Sequence, residues 1–163
     1  LDPARISLMS HDMRHLGGDK PTKEVPLHSA FYETRAGTGA VVHLHATHSV
    51  ALSMLPETDP DNVLPPLTAY SVMRLGKVKL LPFFLPGDDG MGDAVRGLAG
   101  KRAAVLLANH GPVVAGKDLW GAAGAMEELE ETAKLTLLTR GMQPVGLTDG
   151  QVAQVVARFN VDW

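Results

Sequence analysis

The 163-residue sequence predicts an α/β fold, and three observations favour that class. Short apolar runs of strand length alternate along the chain with longer segments in which apolar residues recur every three or four positions. Glycine and proline mark the boundaries between these segments. The composition, 45% hydrophobic and 20% charged, is that of a soluble globular domain large enough to bury a core.

The first predicted helix covers residues 23–35. Thr22 is suited to cap its N-terminus, and Gly37 and Gly39 are suited to end it. Glu24 is therefore expected at the start of a helix. A second, short helix is predicted up to Leu55, capped by Thr47 or Ser49, and is followed by a polar, proline-rich loop over residues 57–66.

Apolar runs predict four strands, at residues 40–45, 80–84, 103–108 and 112–115. Between the second and third lies the glycine-rich segment 85–93. Asp88 and Asp89 would repel a phosphate there, and no Gly-Lys-Ser/Thr follows, so the segment is predicted to be a turn.

Two further helices are predicted in the C-terminal third. Asp118 caps a long helix that ends near Arg140, and Thr148 opens a final helix that ends near Phe159. The long helix has an acidic face that we expect to be solvated, formed by Glu127, Glu128, Glu130 and Glu131.

Charge and composition exclude several classes of function. The net charge is −3 and the basic residues are scattered, so a nucleic-acid partner is not expected. Without cysteine there is neither a disulfide framework nor a thiolate metal ligand, and a cytoplasmic location is the simplest expectation. No apolar run approaches the roughly 20 residues that span a bilayer, so no membrane partner is expected either.

A pair of histidines indicates a metal site. His43 and His45 are two residues apart in a predicted strand, so their side chains should project from the same face and reach one ion. Zn²⁺ at catalytic centres accepts imidazole and carboxylate ligands, and His110 and Glu24 are the candidates to complete the shell. Gly111 beside His110 would let the backbone approach closely.

The other histidines have weaker support. With His48 the pair forms His-x-His-x-x-His, close to a metallo-β-lactamase signature, but Thr47 stands where that signature has aspartate. His48 is therefore expected to face away from His45 or to support a ligand. His28 lies one helical turn after Glu24 and either orients it or only packs, and His11 and His15 are expected at the surface.

Residues 22–28, 39–45 and 107–114 resemble the class II aldolase/adducin family of sugar-phosphate aldolases. Residues 18–21, 64–68 and 127–134 most resemble its 3-oxo-tetronate 4-phosphate decarboxylases. The resemblance implies an α/β/α sandwich around a mixed, largely antiparallel sheet, and a homotetramer with sites between subunits. It also implies a single domain over residues 1–163 that lacks an N-terminal segment carrying phosphate-binding loops, since the chain begins at Leu1 without Met.

The resemblance also assigns roles to individual residues. It implies one zinc ion per subunit held by His43, His45 and His110, with Glu24 as the catalytic carboxylate on or near the metal. It implies that Tyr70 donates a proton to a neighbouring subunit's site, the alternative being a tyrosine of the core.

Two residues before the catalytic carboxylate are candidates to bind substrate. Thr22 could hydrogen-bond the substrate phosphate at a helix start. Lys23 stands where the aldolases usually have serine, and a cation there suits a substrate with an additional carboxylate. The alternative is a solvated lysine.

The resulting functional hypothesis is metal-dependent decarboxylation of a 3-oxo-tetronate 4-phosphate to dihydroxyacetone phosphate and CO₂, in acid-sugar catabolism. Retro-aldol cleavage passes through the same enediolate, so a sugar-phosphate aldolase or epimerase is the alternative enzyme. A non-catalytic, adducin-like head domain is the third possibility, and the presence of all four candidate ligands speaks against it.

Overall fold

The computed structural model of the protein describes residues 2–163. Its strands are β1 (Leu8–Met9), β2 (His15–Gly17), β3 (Ala40–His43), β4 (Lys79–Leu81), β5 (Ala104–Leu107) and β6 (Gly111–Gly116). Its α-helices are α1 (Val25–Thr34), α2 (Thr47–Ser53), α3 (Ala69–Leu75), α4 (Gly90–Arg96), α5 (Leu119–Leu138) and α6 (Asp149–Phe159).

Four strands form the main sheet, in the order β3-β6-β5-β4. The β3/β6 and β6/β5 pairs are antiparallel, whereas β5 and β4 are parallel. The sheet is thus mixed and largely antiparallel, as predicted. The short strands β1 and β2 pair with each other in a separate antiparallel ribbon that the sequence analysis did not predict.

The two faces of the main sheet bury separate apolar cores. Along β5, Ala104 and Leu106 pack into a core with Leu129 of α5, while Val105 and Leu107 pack into the opposite core with Phe31 of α1. This alternation follows from the two-residue period of a strand. Helices α2, α3 and α5 therefore lie on one side and α1 and α4 on the other, which confirms the predicted α/β/α sandwich.

The N-caps predicted for the last two helices are both present. The Asp118 carboxylate accepts a hydrogen bond from the Gly121 N–H at 2.7 Å, at the start of α5. Thr148 and Gln151 form a reciprocal capping box at the start of α6. Each cap satisfies backbone N–H groups that would otherwise lack a partner.

Several predicted boundaries were wrong. Helix α1 begins at Val25, with Glu24 rather than Thr22 at the N-cap, because Thr22 Oγ1 accepts the Glu24 N–H and forms a turn before the helix. Strand β4 ends at Leu81 because Pro82 has no N–H to donate to a ladder.

Two short helices were not predicted. Residues 85–93 do contain the predicted turn, but α4 starts inside this segment at Gly90. Helix α3 is capped by the Thr68 side chain, which accepts the Ser71 N–H. No helix among residues 2–163 is long and apolar enough to cross a membrane.

Candidate metal centre

The sheet topology brings three of the four candidate ligands to one end of the sheet. His43 is the last residue of β3, and it pairs with Val113 near the start of the antiparallel β6. His110 lies in the tight turn that joins β5 to β6, at the same end. Glu24 reaches this end from the N-cap of α1, a helix that packs against β3.

The four side chains converge. Glu24, His43, His45 and His110 each contribute a ligand atom, and these atoms all lie within 4.8 Å of one another. Glu24 Oε2 is 3.2 Å from His43 Nε2, and Glu24 Oε1 is 3.2 Å from His110 Nε2. The Nε2 atoms of His45 and His110 are 3.1 Å apart.

One tautomer in the cluster is fixed by the backbone. His43 Nδ1 lies 2.9 Å from the Pro112 carbonyl oxygen, which only accepts hydrogen bonds, so Nδ1 carries the proton. His43 Nε2 is therefore a lone-pair nitrogen, and it is buried without a hydrogen-bond partner. A buried acceptor of this kind is costly unless it binds something, and a metal ion is the partner that this donor set fits.

The distances also fit a metal. Ligands at about 2.0–2.2 Å from a tetrahedral Zn²⁺ lie about 3.3–3.6 Å from one another. Three separations between ligand atoms, at 3.1–3.2 Å, are close to that range, and all the ligand atoms lie within 4.8 Å of one another. The Glu24 carboxylate and the His43 Nε2 lone pair face each other at 3.2 Å without a proton between them, an arrangement that a bound cation would stabilise.

The surroundings of His43 favour the neutral imidazole that a metal ion requires. Burial lowers the pKa of His43, although its hydrogen bond to Pro112 and the Glu24 carboxylate act in the opposite direction. Burial also lowers the pKa of His28. Metal ligands must be deprotonated, so a neutral imidazole at position 43 favours metal binding at neutral pH.

His45 reaches the cluster from outside the strand. The prediction that His43 and His45 project from the same face of one strand was wrong, because β3 ends at His43. Instead the following backbone is held at the β5–β6 corner, where the Leu44 N–H donates to the Pro112 carbonyl at 3.3 Å. A Cβ at Gly111 would lie 2.2 Å from the Leu44 oxygen, so this approach requires glycine. His45 is the exposed member of the cluster and marks its open side.

Glu130 has a role that sequence reasoning missed. It was predicted to be solvated, but its carboxylate crosses from α5 to the start of α2. Oε1 accepts the His48 N–H at 2.8 Å and lies 2.8 Å from His48 Nδ1, while Oε2 accepts the Ser49 N–H at 2.9 Å and hydroxyl at 2.7 Å. The prediction that Thr47 or Ser49 caps α2 was wrong, because the N-cap residue is Ala46.

The predicted substrate-binding residues lie directly before Glu24. Thr22 and Lys23 are both exposed. The Lys23 stem packs on the turn before α4, where a Cβ added to Gly87 would lie 2.9 Å from Lys23 Cβ. Gly87 has φ +87°, so it is required there both for its backbone conformation and for this contact.

Tyr70 lies in the first turn of α3 and is 61% exposed. That exposure excludes the alternative of a core tyrosine. The structure does not bring Tyr70 into the cluster of Glu24 and the three histidines of the same chain.

Two of the remaining histidines lie at the surface, as predicted, and a third lies near the cluster. His11 and His15 are exposed. The ring centroid of His28 lies 6.4 Å from that of His43, in an edge-on arrangement. His28 and Thr22 also line a cavity of about 580 Å³ beside the N-terminal ribbon. Another cavity, of about 770 Å³, lies between α2 and the end of α5 and includes no residue of the cluster.

Comparison with known proteins finds relatives that match nearly the whole chain. The 3-oxo-tetronate 4-phosphate decarboxylase of Escherichia coli K12 is 49% identical over 156 residues, covering 95% of this chain and 73% of the relative. The L-fuculose phosphate aldolase of the same strain is 29% identical over 163 residues, covering 98% of this chain and 73% of the relative.

A solved structure with a similar sequence has a similar fold. YgbL from Escherichia coli superposes with a TM-score of 0.92 at 47% identity, covering 95% of this chain and 75% of that chain. The model of the class II aldolase and adducin N-terminal domain matches residues 1–137. The chain belongs to the class II aldolase and adducin family.

Proposed function

We propose that this protein decarboxylates a 3-oxo-tetronate 4-phosphate, releasing CO₂ and dihydroxyacetone phosphate. The observation that carries the proposal is the convergence of Glu24, His43, His45 and His110 in a chain that is 49% identical to a 3-oxo-tetronate 4-phosphate decarboxylase. The same convergence speaks against a non-catalytic, adducin-like role, which would not need four ligands at one point.

The three histidines and Glu24 would hold one divalent metal ion per subunit, and we propose zinc. Imidazole nitrogens with a carboxylate oxygen are a donor set that zinc accepts. Bound there, the ion would act as a Lewis acid that stabilises negative charge on the substrate's oxygens.

The chemistry requires one proton at carbon. When the bond between the carboxylate carbon and C2 breaks, CO₂ leaves and the electron pair delocalises into the C3 carbonyl. A proton must then reach C2 to give dihydroxyacetone phosphate. Glu24 of the same subunit or Tyr70 of a neighbouring one would deliver that proton, and the Glu24 side chain lies at the cluster, only 16% exposed.

Lys23 would bind the substrate carboxylate, and Thr22 would contact the phosphate. The support for Lys23 is its place directly before Glu24 and its stem's contact with the turn at Gly87, which restricts where the ammonium extends. A cation next to the reacting carboxylate gives specificity for an acid sugar, and a ketose phosphate without that group would gain nothing from it.

We propose that Tyr70 donates a proton in a neighbouring subunit's site of a homotetramer. Its support is its exposure in a subunit whose own cluster it does not join. Tyr70→Phe removes only the hydroxyl, so we expect kcat to fall by roughly 10²–10⁴ while the tetramer persists. Light scattering with a steady-state assay measures both quantities, and wild-type kcat in Tyr70→Phe would exclude the role.

The test of function is a coupled assay for dihydroxyacetone phosphate across a panel of 3-oxo-tetronate 4-phosphates, with CO₂ measured in parallel. Equal release of both products is expected. The chain is also 29% identical to an L-fuculose phosphate aldolase, so ketose phosphates belong in the panel. Faster cleavage of these to an aldehyde than release of CO₂ would move the assignment to aldolase.

A further inference from the structure

Two of the four cluster residues depend on irregular backbone for their position. His45 lies in the three-residue connection between β3 and α2, and His110 lies in the turn between β5 and β6. Yet the Nε2 atoms of these two residues are only 3.1 Å apart. The Leu44 N–H bond to Pro112 of β6 holds one side of the His45 connection, but its other side and the His110 turn need support from a neighbouring element, because loops alone position side chains poorly.

Helix α2 is fixed next to both segments. Its N-terminus directly follows the His45 connection, and its C-terminal residue Ser53 accepts the Asn109 N–H at 2.9 Å. Asn109 precedes His110 and has a left-handed backbone at φ +57°, a conformation that asparagine adopts more readily than most residues, and the bond to Ser53 holds its N–H there. The helix thus spans the distance between the two ligand-bearing segments.

The N-terminus of α2 is fixed by Glu130 of α5. The N-cap residue Ala46 offers no side-chain oxygen, so the first N–H groups of the helix would lack acceptors. Glu130 supplies them, since it accepts the N–H groups of His48 and Ser49 together with the Ser49 hydroxyl, and Ser49 is fully buried. A negative charge at a helix N-terminus is also favourable to the helix dipole.

We infer that Glu130 is a positioning residue for the metal centre, acting through α2 on His45 and, at the far end of the helix, on the corner that bears His110. Glu130 makes no hydrogen bond or ion pair with the cluster residues themselves. Its hydrogen bonds fix the first turn of α2, so the connection that carries His45 has one fixed end at β3 and another at α2. The inference rests on the proposed metal site and adds to it a residue of α5.

The test is the affinity of the purified apo protein for Zn²⁺, measured by competition with a chromophoric chelator, in wild type and Glu130→Gln. Glutamine keeps the shape but places an NH₂ group against donors. We expect the dissociation constant to rise about 10- to 100-fold, the usual effect of losing a residue that orients a ligand. Glu127→Gln is the matched control, since it removes an exposed carboxylate from the same helix and should leave the affinity unchanged.

A second readout separates positioning from stability. The visible absorption of the Co²⁺ form reports ligand geometry, and we expect Glu130→Gln to alter it, whereas a purely structural role would lower the unfolding temperature without changing either the spectrum or the affinity. Such an outcome would overturn the inference. If Glu130→Gln does not fold, Ser53→Ala replaces it as the test variant, since it removes the acceptor of the Asn109 N–H. An unchanged Zn²⁺ affinity of Ser53→Ala would also refute the inference.

Metal binding by the wild-type protein distinguishes a failure of this inference from a failure of the proposed function. A wild type that binds no metal overturns the metal site itself, and the inference with it. A wild type that binds about one ion per chain, alongside a folded Glu130→Gln of equal affinity, overturns the inference alone.

Discussion

Replacing Lys23 with serine tests whether this protein is a decarboxylase or an aldolase. If Lys23 binds the carboxylate of the substrate, Lys23→Ser should weaken decarboxylation mainly through binding. A hydrogen bond to a charged group contributes about 1.5–3 kcal/mol, which corresponds to roughly ten- to a hundred-fold in kcat/KM. Because Lys23 is exposed, water and salt screen its charge, so we expect the lower end, about tenfold.

The assay is the release of dihydroxyacetone phosphate at substrate concentrations well below KM, repeated at low and high salt. The Debye length falls from about 30 Å at 0.01 M to about 3 Å at 1 M, so added salt should slow the wild type more than Lys23→Ser. Lys20→Ser is the control, because Lys20 is also exposed and lies in the same loop. Equal kcat/KM for wild type and Lys23→Ser on 3-oxo-tetronate 4-phosphates would refute the reasoning.

Three further outcomes are expected. The double variant His43→Ala, His45→Ala should lose bound metal and activity together, and full metal content by elemental analysis would exclude these ligands. Glu24→Gln should fold and keep much of its metal while kcat falls by roughly 10²–10⁴, whereas turnover within a few-fold of wild type would remove Glu24 from proton transfer. Burial raises the pKa of Glu130, but hydrogen bonds from Ser49 and His48 outweigh it and hold that pKa below its ordinary value of 4.5. The Glu130 carboxylate therefore stabilises the fold fully at pH values above its ordinary pKa. This stabilisation is lost as the pH falls through the lowered pKa of the folded protein. Denaturant unfolding of wild type and Glu130→Gln at several pH values should show the difference in free energy of unfolding shrinking toward acid, and a constant difference would contradict this assignment.

The sequence allowed the central features to be predicted because their signals are local. Asp118 and Thr148 are caps read from the residues that immediately follow them, and both are present. The strands β5 and β6 are apolar runs, and β6 begins and ends with glycine. The family resemblance located Glu24, His43, His45 and His110, and the structure places these residues together.

What was missed depends on contacts between distant segments. The link from Glu130 to α2 joins residues more than 80 positions apart, and nothing in the acidic run 127–131 distinguishes Glu130 from its neighbours. The short helix α4 contains two glycines in seven residues, so its own propensity is poor and packing against α1 sustains it. The cap at α3 was a readable signal, since Thr68 precedes Ser71 at the spacing of an N-cap.

The dispersed origin of the cluster links the folding of the chain to metal availability. Glu24, His43 and His110 belong to a helix start, a strand end and a hairpin corner, which only the folded chain brings together. An ion that binds this arrangement but not the unfolded chain adds about 2.7 kcal/mol to the free energy of unfolding at a free concentration one hundred times its dissociation constant. Amide hydrogens at these three places should then exchange with solvent more slowly when metal is present, and those of α6, at the other end of the chain, should slow no further than the rise in global stability allows.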